Sequence, residues 1–375
     1  MSEIVRARNV LSTFVQDKNR TPYEFKRRCI EYSLYGVDID PGAVEIAKLR
    51  LWLSLVVDED DIKNIKPLPN LDYRIMQGNS LISEFMGINF DTDTKMNEGV
   101  HVQTSFVKEK TDEPIEQFQQ KKDEFLNESN VSRKTKLKVE VDDLLVKIFE
   151  TKLRTQKADY FISLKNIENK YSALRNEKQR NELINQDKEK LNKESGFDLE
   201  EAEKQLKEFT SVQKIKPFFL WNLYFSEVFH QKRCGFDVVI ANPPYETSRS
   251  KGIEEDSKTY FKRNYETAED KYDYYVFFIE KSSNIVRKNG TICLITPSTF
   301  LLKPLSKKIR KYLLSKYEIL SIDEFKGLVF ESVVPTAITI FKNKTADEAH
   351  RIQVAYNINS IKSFLNGSFS ESFTT

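Results

Sequence analysis

Apolar positions in the first part of the chain predict one helix between two short strands. The helix is predicted after Asp40 and Pro41, because these residues suit an N-cap and a first helical position, and because apolar residues then recur at helical spacing. The recurring residues are Val44, Ala47, Leu51 and Leu55. The flanking strands are predicted at 34–37 and 71–76. With a further helix predicted before the first strand, these elements indicate a helix–strand–helix–strand unit.

The last part of the chain also alternates strands with helices. A near-continuous apolar run at 236–241 predicts a strand of the buried type. One face of a helix then carries Tyr272, Tyr275, Phe278, Ile279, Ser282, Ile285 and Val286. Asn289-Gly290 is expected to end that helix before a second buried strand at 291–296. A basic helix at 301–316 precedes two more predicted strands, 318–325 and 333–342.

This alternation predicts an α/β fold with a mostly parallel sheet covered on both faces. The last two strands, joined by a short loop, are expected to form an antiparallel hairpin at one edge of that sheet. Composition divides the chain into 1–90, a highly charged block at 91–215, and 216–375. We interpret the middle block as helices inserted between two strands. It serves either as a solvated spacer or as an arm that clamps DNA.

Composition excludes several classes of protein. The net charge of the 375-residue chain is only +2, so charge neither favours nor excludes a nucleic-acid partner. The three cysteines and three histidines are scattered along the chain, which argues against disulfides and against a metal site. The longest apolar run is far too short to span a membrane. These features are typical of a protein of the reducing cytoplasm.

Asn242-Pro243-Pro244-Tyr245 directly follows the predicted strand 236–241. Ligands of α/β folds bind at the carboxyl ends of strands, and two prolines hold the loop in a stiff, extended course. The Asn242 side-chain oxygen and the Pro243 carbonyl can then accept both hydrogens of one amino group. Two such acceptors would localise the lone pair of adenine's conjugated amine for attack on a sulfonium methyl group.

Tyr245 offers a flat face for stacking on a base drawn out of a duplex. The same tetrapeptide also fits a rigid exit from a strand, since Asn-Pro and Pro-Pro are ordinary turn signals. A second feature is the carboxylate after the first strand, where nucleoside-binding folds contact ribose hydroxyls. Asp38 has that place, with Ile39 beside it to cover an adenine face, whereas Asp40 is expected to cap the helix.

These motifs and their order resemble the methyltransferase region of type IIG restriction-modification enzymes and related γ-class adenine-N6 DNA methyltransferases. The segments that carry the resemblance are 35–41, 47–53, 77–81, 219–229, 242–245, 290–300 and 330–341. The resemblance implies a Rossmann-like class I methyltransferase fold with a long helical insertion. It also implies methyl transfer from S-adenosylmethionine to adenine N6 in double-stranded DNA.

The resemblance also implies roles for individual residues. Asp38 would bind the cofactor ribose, Ile39 would pack on its adenine, and Asn79 with Ser80 would contact the adenine amine, where the family often has Asp. The catalytic residues would be Asn242, Pro243, Pro244 and Tyr245. Tyr245 and Phe330 would contact the flipped target adenine, although core packing accounts equally well for Phe330.

The sequence departs from the family at its glycine-rich cofactor loop. No glycine precedes Gly36, so we expect the chain to begin inside the fold. It also ends soon after the last predicted strand, so a target-recognition domain is expected to be mostly or wholly absent. A fragment, a split gene or a decayed gene would each give this pattern. In a split gene, a second polypeptide would supply the missing parts.

Other functions remain open at this point. The same catalytic loop would suit a protein glutamine N5-methyltransferase, because that amide amine is also conjugated. Cytosine-N4 transfer is a further variant, although its loop more often begins with Ser. A non-catalytic DNA-binding or assembly subunit is favoured by the missing glycine loop and by a basic helix that could contact phosphates. That helix carries Lys303, Lys307, Lys308, Arg310, Lys311 and Lys316.

Overall fold

The computed structural model describes most of the chain and divides it into two compact units. The described residues are 22–57, 70–85, 88–89, 108–128, 130–195, 217–229, 234–245, 255–268, 273–326, 334–358 and 370–374. The first unit is Met1–Phe225 and the second is Ser226–Thr375. None of the helices in these ranges is long and apolar enough to cross a membrane.

The first unit begins with the predicted order of a helix, a strand, a second helix and a second strand. Its elements are α1 (Pro22–Tyr32), β1 (Gly36–Asp38), α2 (Pro41–Val56) and β2 (Ile75–Gln77). Strands β1 and β2 pair in parallel, with Asp38 beside Gln77. The two helices and β2 share an apolar core of Tyr23, Ile30, Val44, Leu55, Leu71 and Ile75. The helix after Asp40 is therefore confirmed, and the apolar residues that recur at helical spacing pack into this core, whereas Ile46, Leu49 and Leu53 of the same helix are exposed.

A short hairpin and three long helices follow in the first unit. They are β3 (Glu84–Phe85), β4 (Ile88–Asn89), α3 (Lys108–Asn127), α4 (Val131–Lys170) and α5 (Glu177–Ser195). The first half of α4 is part of a core, because it buries Leu137, Val141, Leu145, Ile148, Phe149 and Leu153. The far end of α4 pairs with α5 through exposed ion pairs, Lys170–Asp187 and Lys188–Glu168.

One lysine connects helix α3 of this middle block by a hydrogen bond to the aromatic segment at 218–225, which ends the first unit. That segment contains α6 (Trp221–Tyr224). Lys122 on α3 is 1% exposed, and its ammonium donates to the Tyr224 carbonyl oxygen at 3.0 Å. A buried ammonium is costly unless it is hydrogen-bonded. Helix α3 and the first half of α4 therefore pack as part of the first unit.

The second unit is built on a six-stranded sheet. Its helices are α7 (Ser226–Phe229), α8 (Glu255–Asn264), α9 (Tyr274–Ile285) and α10 (Lys307–Lys316). Its strands are β5 (Phe236–Ala241), β6 (Val286–Pro297), β7 (Glu318–Phe325), β8 (Thr336–Lys342), β9 (Ile352–Ile358) and β10 (Ser370–Thr374). The strand order is β10-β9-β7-β8-β6-β5. β5 pairs with β6 in parallel and β7 with β9 in parallel, whereas the other three pairs are antiparallel.

The α/β class and the antiparallel β7–β8 pair confirm the sequence analysis, but three details differ. The hairpin is not at the sheet edge, because β8 lies between β6 and β7 and because β9 and β10 extend the sheet further. Helix α9 ends at Ile285, so Asn289-Gly290 does not terminate it. Asn289 instead takes a positive φ of 63° inside β6, near the point where the β5–β6 register shifts.

The predicted burial of β5 is wrong on one of its two faces. Val239 and Ala241 pack against the core that α9 and α10 cover. Val238 and Ile240 point to the opposite face and are 55% and 77% exposed. In the described part of the chain β5 is an edge strand that pairs only with β6. An apolar strand at the edge of a sheet can therefore leave one of its faces exposed.

Candidate functional site

The Asn-Pro-Pro-Tyr loop leaves the sheet at the carboxyl end of β5. There Ala241 lies beside Leu294 of the parallel strand β6. Asn242 is exposed and Pro243 is buried. Because each proline fixes its own φ angle, the backbone is held while the Asn242 amide remains accessible. The loop therefore presents a hydrogen-bond acceptor to solvent from a rigid backbone.

Tyr245 is partly buried, and its hydroxyl has no hydrogen-bond partner among the described residues. Burial raises the pKa of this phenol above its usual value, so the ring stays neutral at physiological pH. An unpaired buried hydroxyl costs about 1–3 kcal/mol. Packing, and not a hydrogen bond of the hydroxyl, therefore holds the ring.

Asp38 and Asp40 divide two tasks at the carboxyl end of β1. Asp40 caps α2, since its Oδ1 accepts from the amides of Gly42 and Ala43 at 2.6 and 3.1 Å. Asp38 accepts from the Asp40 amide through Oδ1 at 2.8 Å. That single bond orients an exposed carboxylate and leaves it with further acceptor capacity. The predicted cap at Asp40 is confirmed.

Ile39 lies between these two carboxylates with 57% of its surface exposed. Its carbonyl oxygen accepts from the Gln77 side chain at 3.1 Å, which ties the end of β1 to the end of β2. An exposed isoleucine on a fixed backbone offers an apolar surface next to the Asp38 carboxylate. This pairing fits a nucleoside, which has a polar ribose and a flat apolar base.

Asn79 and Ser80 form a tight turn after β2. The Asn79 Oδ1 accepts from the Leu81 amide at 3.1 Å, and the Asn79 carbonyl accepts from the Ile82 amide at 3.2 Å. The amide of Gly78 donates to the Asp38 carbonyl at 2.9 Å. The turn is thus linked to the residue that carries the candidate ribose carboxylate. Asn79 keeps its NH₂ group and a second lone pair for a ligand.

The fit of these residues to the implied cofactor is good but differs between positions. Asp38 offers a charged acceptor and Ile39 an apolar surface, both exposed. Asn79 is half-buried and already uses its oxygen once. The exposed acceptor at Asp38 and the apolar surface at Ile39 are the kinds of group that a nucleoside would need, and Asn79 is the least available of these side chains.

Sequence reasoning singled out the aromatic segment at 219–229 but missed that it holds the Asn79 turn. The Trp221 indole N–H donates to the Ser80 carbonyl at 3.0 Å, and the Phe219 amide donates to the Ile82 carbonyl at 2.8 Å. Both side chains are buried. A buried tryptophan needs an acceptor for its N–H, which was the available signal, but the sequence does not say where that acceptor lies.

The basic helix α10 is partly committed to internal contacts. Lys308 donates to the Ala268 carbonyl at 2.7 Å, and Arg310 donates to the carbonyls of Phe300 and Lys303 at 2.7 Å each. Lys316 forms an ion pair with Glu266. Three of its basic side chains therefore already bind other parts of the second unit.

The candidate residues fall into two groups. Asp38, Ile39, Asn79 and Ser80 belong to the first unit, where the β1–β2 pairing brings them together, and Asn242 to Tyr245 belong to the second. Phe330 lies outside the described residues. Within the described ranges, no group of three or more His, Cys, Asp or Glu side chains forms a candidate metal site.

Known proteins resemble this chain in sequence. A putative type II restriction enzyme and methyltransferase of Methanocaldococcus jannaschii, RM.MjaORFECS2P, is 28% identical over 341 residues, covering 83% of this chain and 26% of the relative. The type II restriction enzyme and methyltransferase RM.Eco57I of Escherichia coli is 32% identical over 35% of this chain and 13% of its own length. The chain thus spans at most about a quarter of these two relatives.

Solved structures give weaker likenesses. A type I methyltransferase subunit of Streptococcus thermophilus matches with a TM-score of 0.31 and 17% identity, over 48% of this chain and 42% of that subunit. The type IIG restriction endonuclease BpuSI matches with a TM-score of 0.26 and 18% identity, over 33% of this chain and 15% of that protein. Structural likenesses this weak do not assign a function to this chain.

The family model gives the decisive match. The model for the Eco57I restriction-modification methylase matches residues 32–330, which is well over half of the chain. This range includes the Asp38, Asn79 and Asn242 loops described above. The chain belongs to the Eco57I restriction-modification methylase family.

Proposed function

We propose that this protein transfers a methyl group from S-adenosylmethionine to the N6 amine of adenine in double-stranded DNA, as part of a restriction-modification system. The observation that carries the proposal is the Asn242 side chain, which is exposed on a proline-fixed loop at the carboxyl end of β5. Membership of a restriction-modification methylase family supports the same conclusion.

The catalytic work is assigned to the loop itself. The Asn242 oxygen and the Pro243 carbonyl accept the two hydrogens of the adenine amine and favour a tetrahedral nitrogen. Because the two prolines fix the backbone in advance, the acceptors need little reorganisation when charge develops on that nitrogen. Tyr245 stacks on the base once it has left the duplex. The nitrogen loses its proton after attack, when it has become acidic, so no general base is required.

Cofactor binding is assigned to the first unit. S-adenosylmethionine supplies an electrophilic methyl group on a sulfonium. Asp38 would accept from the ribose hydroxyls, Ile39 would cover the adenine, and the Asn79 side chain, with Ser80 beside it, would contact the adenine amine. The hydrogen bonds at Asp38 and Asn79 orient both side chains before any ligand arrives.

The partners follow from the same proposal. DNA is the substrate, and a second polypeptide or a further segment would supply a glycine-rich cofactor loop and a target-recognition domain. The alternative of a non-catalytic DNA-binding subunit loses part of its support, because three basic residues of α10 already bind within the second unit. Cytosine-N4 and glutamine-N5 transfer are the remaining rivals for the same loop.

A labelling experiment tests the proposal. The protein is incubated with methyl-labelled S-adenosylmethionine and unmethylated DNA, and the nucleosides are then separated by mass spectrometry. We expect label in N6-methyldeoxyadenosine, and about 10²- to 10³-fold slower labelling after Asn242→Ala. Label in N4-methyldeoxycytidine would move the reaction to cytosine. In a parallel reaction with a glutamine-containing peptide, label in the peptide and none in DNA would assign a protein substrate instead. DNA binding without any label would favour the non-catalytic subunit.

A further inference from the structure

The turn at 79–82 is held from outside by the aromatic segment that ends the first unit. Two hydrogen bonds connect them: Trp221 Nε1 to the Ser80 carbonyl at 3.0 Å, and the Phe219 amide to the Ile82 carbonyl at 2.8 Å. Trp221 is 8% exposed and Phe219 is 0% exposed. A carbonyl next to these buried side chains has little access to water, so the indole N–H satisfies a hydrogen bond that water would not readily supply to Ser80.

The segment and the turn also touch directly at Gly78. A Cβ atom at this position would lie 2.8 Å from the Phe218 carbonyl oxygen and 2.9 Å from the Phe219 ring. Two backbone segments therefore approach as closely as a glycine allows. Because Gly78 is one residue before Asn79, this contact fixes the distance between the start of the turn and the backbone of Phe218.

The rest of the segment anchors Trp221 itself. Its ring makes edge contacts with Phe219 and Phe225, with centroids 5.0 and 5.8 Å apart. The Phe225 ring in turn contacts Tyr35, directly before β1, at 4.9 Å. The indole is thus packed against two aromatic rings, and its N–H donates to the turn. A substitution that keeps an aromatic ring but removes the N–H can therefore remove the hydrogen bond while largely keeping the packing of the ring.

We propose that Trp221 is a positioning residue for the cofactor's adenine. Its N–H fixes the Ser80 carbonyl, which holds the turn in the form where the Asn79 amide faces the adenine amine. Trp221 touches no ligand itself. This inference rests on the proposed function, because it takes the Asn79 turn as part of the S-adenosylmethionine site.

The test compares the two tryptophans of the chain. Trp221→Phe keeps an aromatic ring but removes the N–H, and Trp52→Phe makes the same chemical change on α2, away from the turn. Affinities are measured for S-adenosylhomocysteine and for S-inosylhomocysteine, which lacks the adenine amine. We expect Trp221→Phe to weaken adenosyl binding about 3- to 10-fold, as for one lost hydrogen bond. It should also reduce the preference over the inosyl compound, whereas Trp52→Phe should leave both values unchanged.

A second readout needs no ligand. Hydrogen exchange of the Leu81 and Ile82 amides reports the turn, because these amides donate to Asn79. We expect faster exchange there in Trp221→Phe and no change in Trp52→Phe. Unchanged exchange would overturn the inference, and so would an unchanged adenosyl-over-inosyl preference. If the wild-type protein bound neither compound, the proposed function would fail, and the exchange experiment would still decide whether Trp221 holds the turn.

Discussion

The two candidate loops are made rigid in different ways. The Asn79 turn of the first unit is held by two hydrogen bonds: the Leu81 amide donates to the Asn79 side-chain oxygen, and the Trp221 indole donates to the Ser80 carbonyl. The Asn242 loop of the second unit is held by Pro243 and Pro244, and its side chain remains exposed. Each hydrogen bond contributes about 1 kcal/mol and can be removed singly, whereas a proline restricts the backbone covalently.

This difference separates geometry from chemistry at the two loops. In the second unit the backbone is fixed without help from Asn242, so removing that side chain should affect chemistry alone. In the first unit the side chains that would bind the cofactor also shape their own backbone. Substitutions there should affect order and binding together, and by smaller steps.

The largest effect is expected at Asn242. Asn242→Ala should reduce methyl transfer about 10²- to 10³-fold, as for loss of one preorganised acceptor in a transition state. The melting temperature should stay unchanged, because the side chain is exposed and because the prolines hold the loop. Initial rates with labelled cofactor and thermal unfolding measure the two quantities. Asn127→Ala, at an exposed asparagine of the middle block, is the matched control. A normal rate in Asn242→Ala would remove Asn242 from its role.

A smaller effect, on stability and binding together, is expected at Gly78. Gly78→Ala places a Cβ 2.8 Å from the Phe218 carbonyl oxygen, which should lower the free energy of unfolding by about 1–3 kcal/mol. Urea denaturation followed by circular dichroism measures this. Gly42→Ala is the control, because its Cβ would meet no backbone atom and only one side-chain atom, the Asp40 Oδ1 that caps α2, at 3.0 Å. Equal stability of both variants would show that the Asn79 turn is not held in the way described.

The smallest effect is expected at Tyr245. Tyr245→Phe removes a buried hydroxyl that has no partner among the described residues and keeps the ring that would stack on the base. Stability should be unchanged or slightly higher, because an unpaired polar group is lost. Methyl transfer should stay within about threefold of the wild type, as for a contact worth well under 1 kcal/mol. Tyr245→Ala, which removes the ring, should reduce transfer much further. Equal rates in Phe and Ala variants would contradict a stacking role.

Local sequence patterns predicted the elements that position these loops. The strand 236–241 and the strand 318–325 agree with β5 and β7 in the structure. The Asp40 cap was also predictable, because an N-cap, a following Pro41 and helical spacing all lie within a few residues. Such features depend on neighbours along the chain, which the sequence presents directly.

Features set by distant contacts could not be predicted in this way. The Trp221–Ser80 hydrogen bond joins residues 141 positions apart. The exposure of Ile240 depends on which strands flank β5, and an apolar strand has the same sequence whether its neighbours are present or not. Asn289 was expected to end a helix because asparagine adopts positive φ more readily than most residues. It does adopt a positive φ, but inside strand β6 and not at a helix end.

Calorimetric titration of the protein with S-adenosylmethionine tests the central claim most directly. The account predicts saturable binding near about 1 μM, and Asp38→Asn should weaken it about tenfold or more, because a hydrogen bond to a charged group is lost. Asp72→Asn, at an exposed carboxylate outside the turn, should bind like the wild type. Equal binding by Asp38→Asn would contradict the assignment of the first unit as the cofactor site, and no binding by the wild type would contradict the claim that this unit binds the cofactor without a further segment.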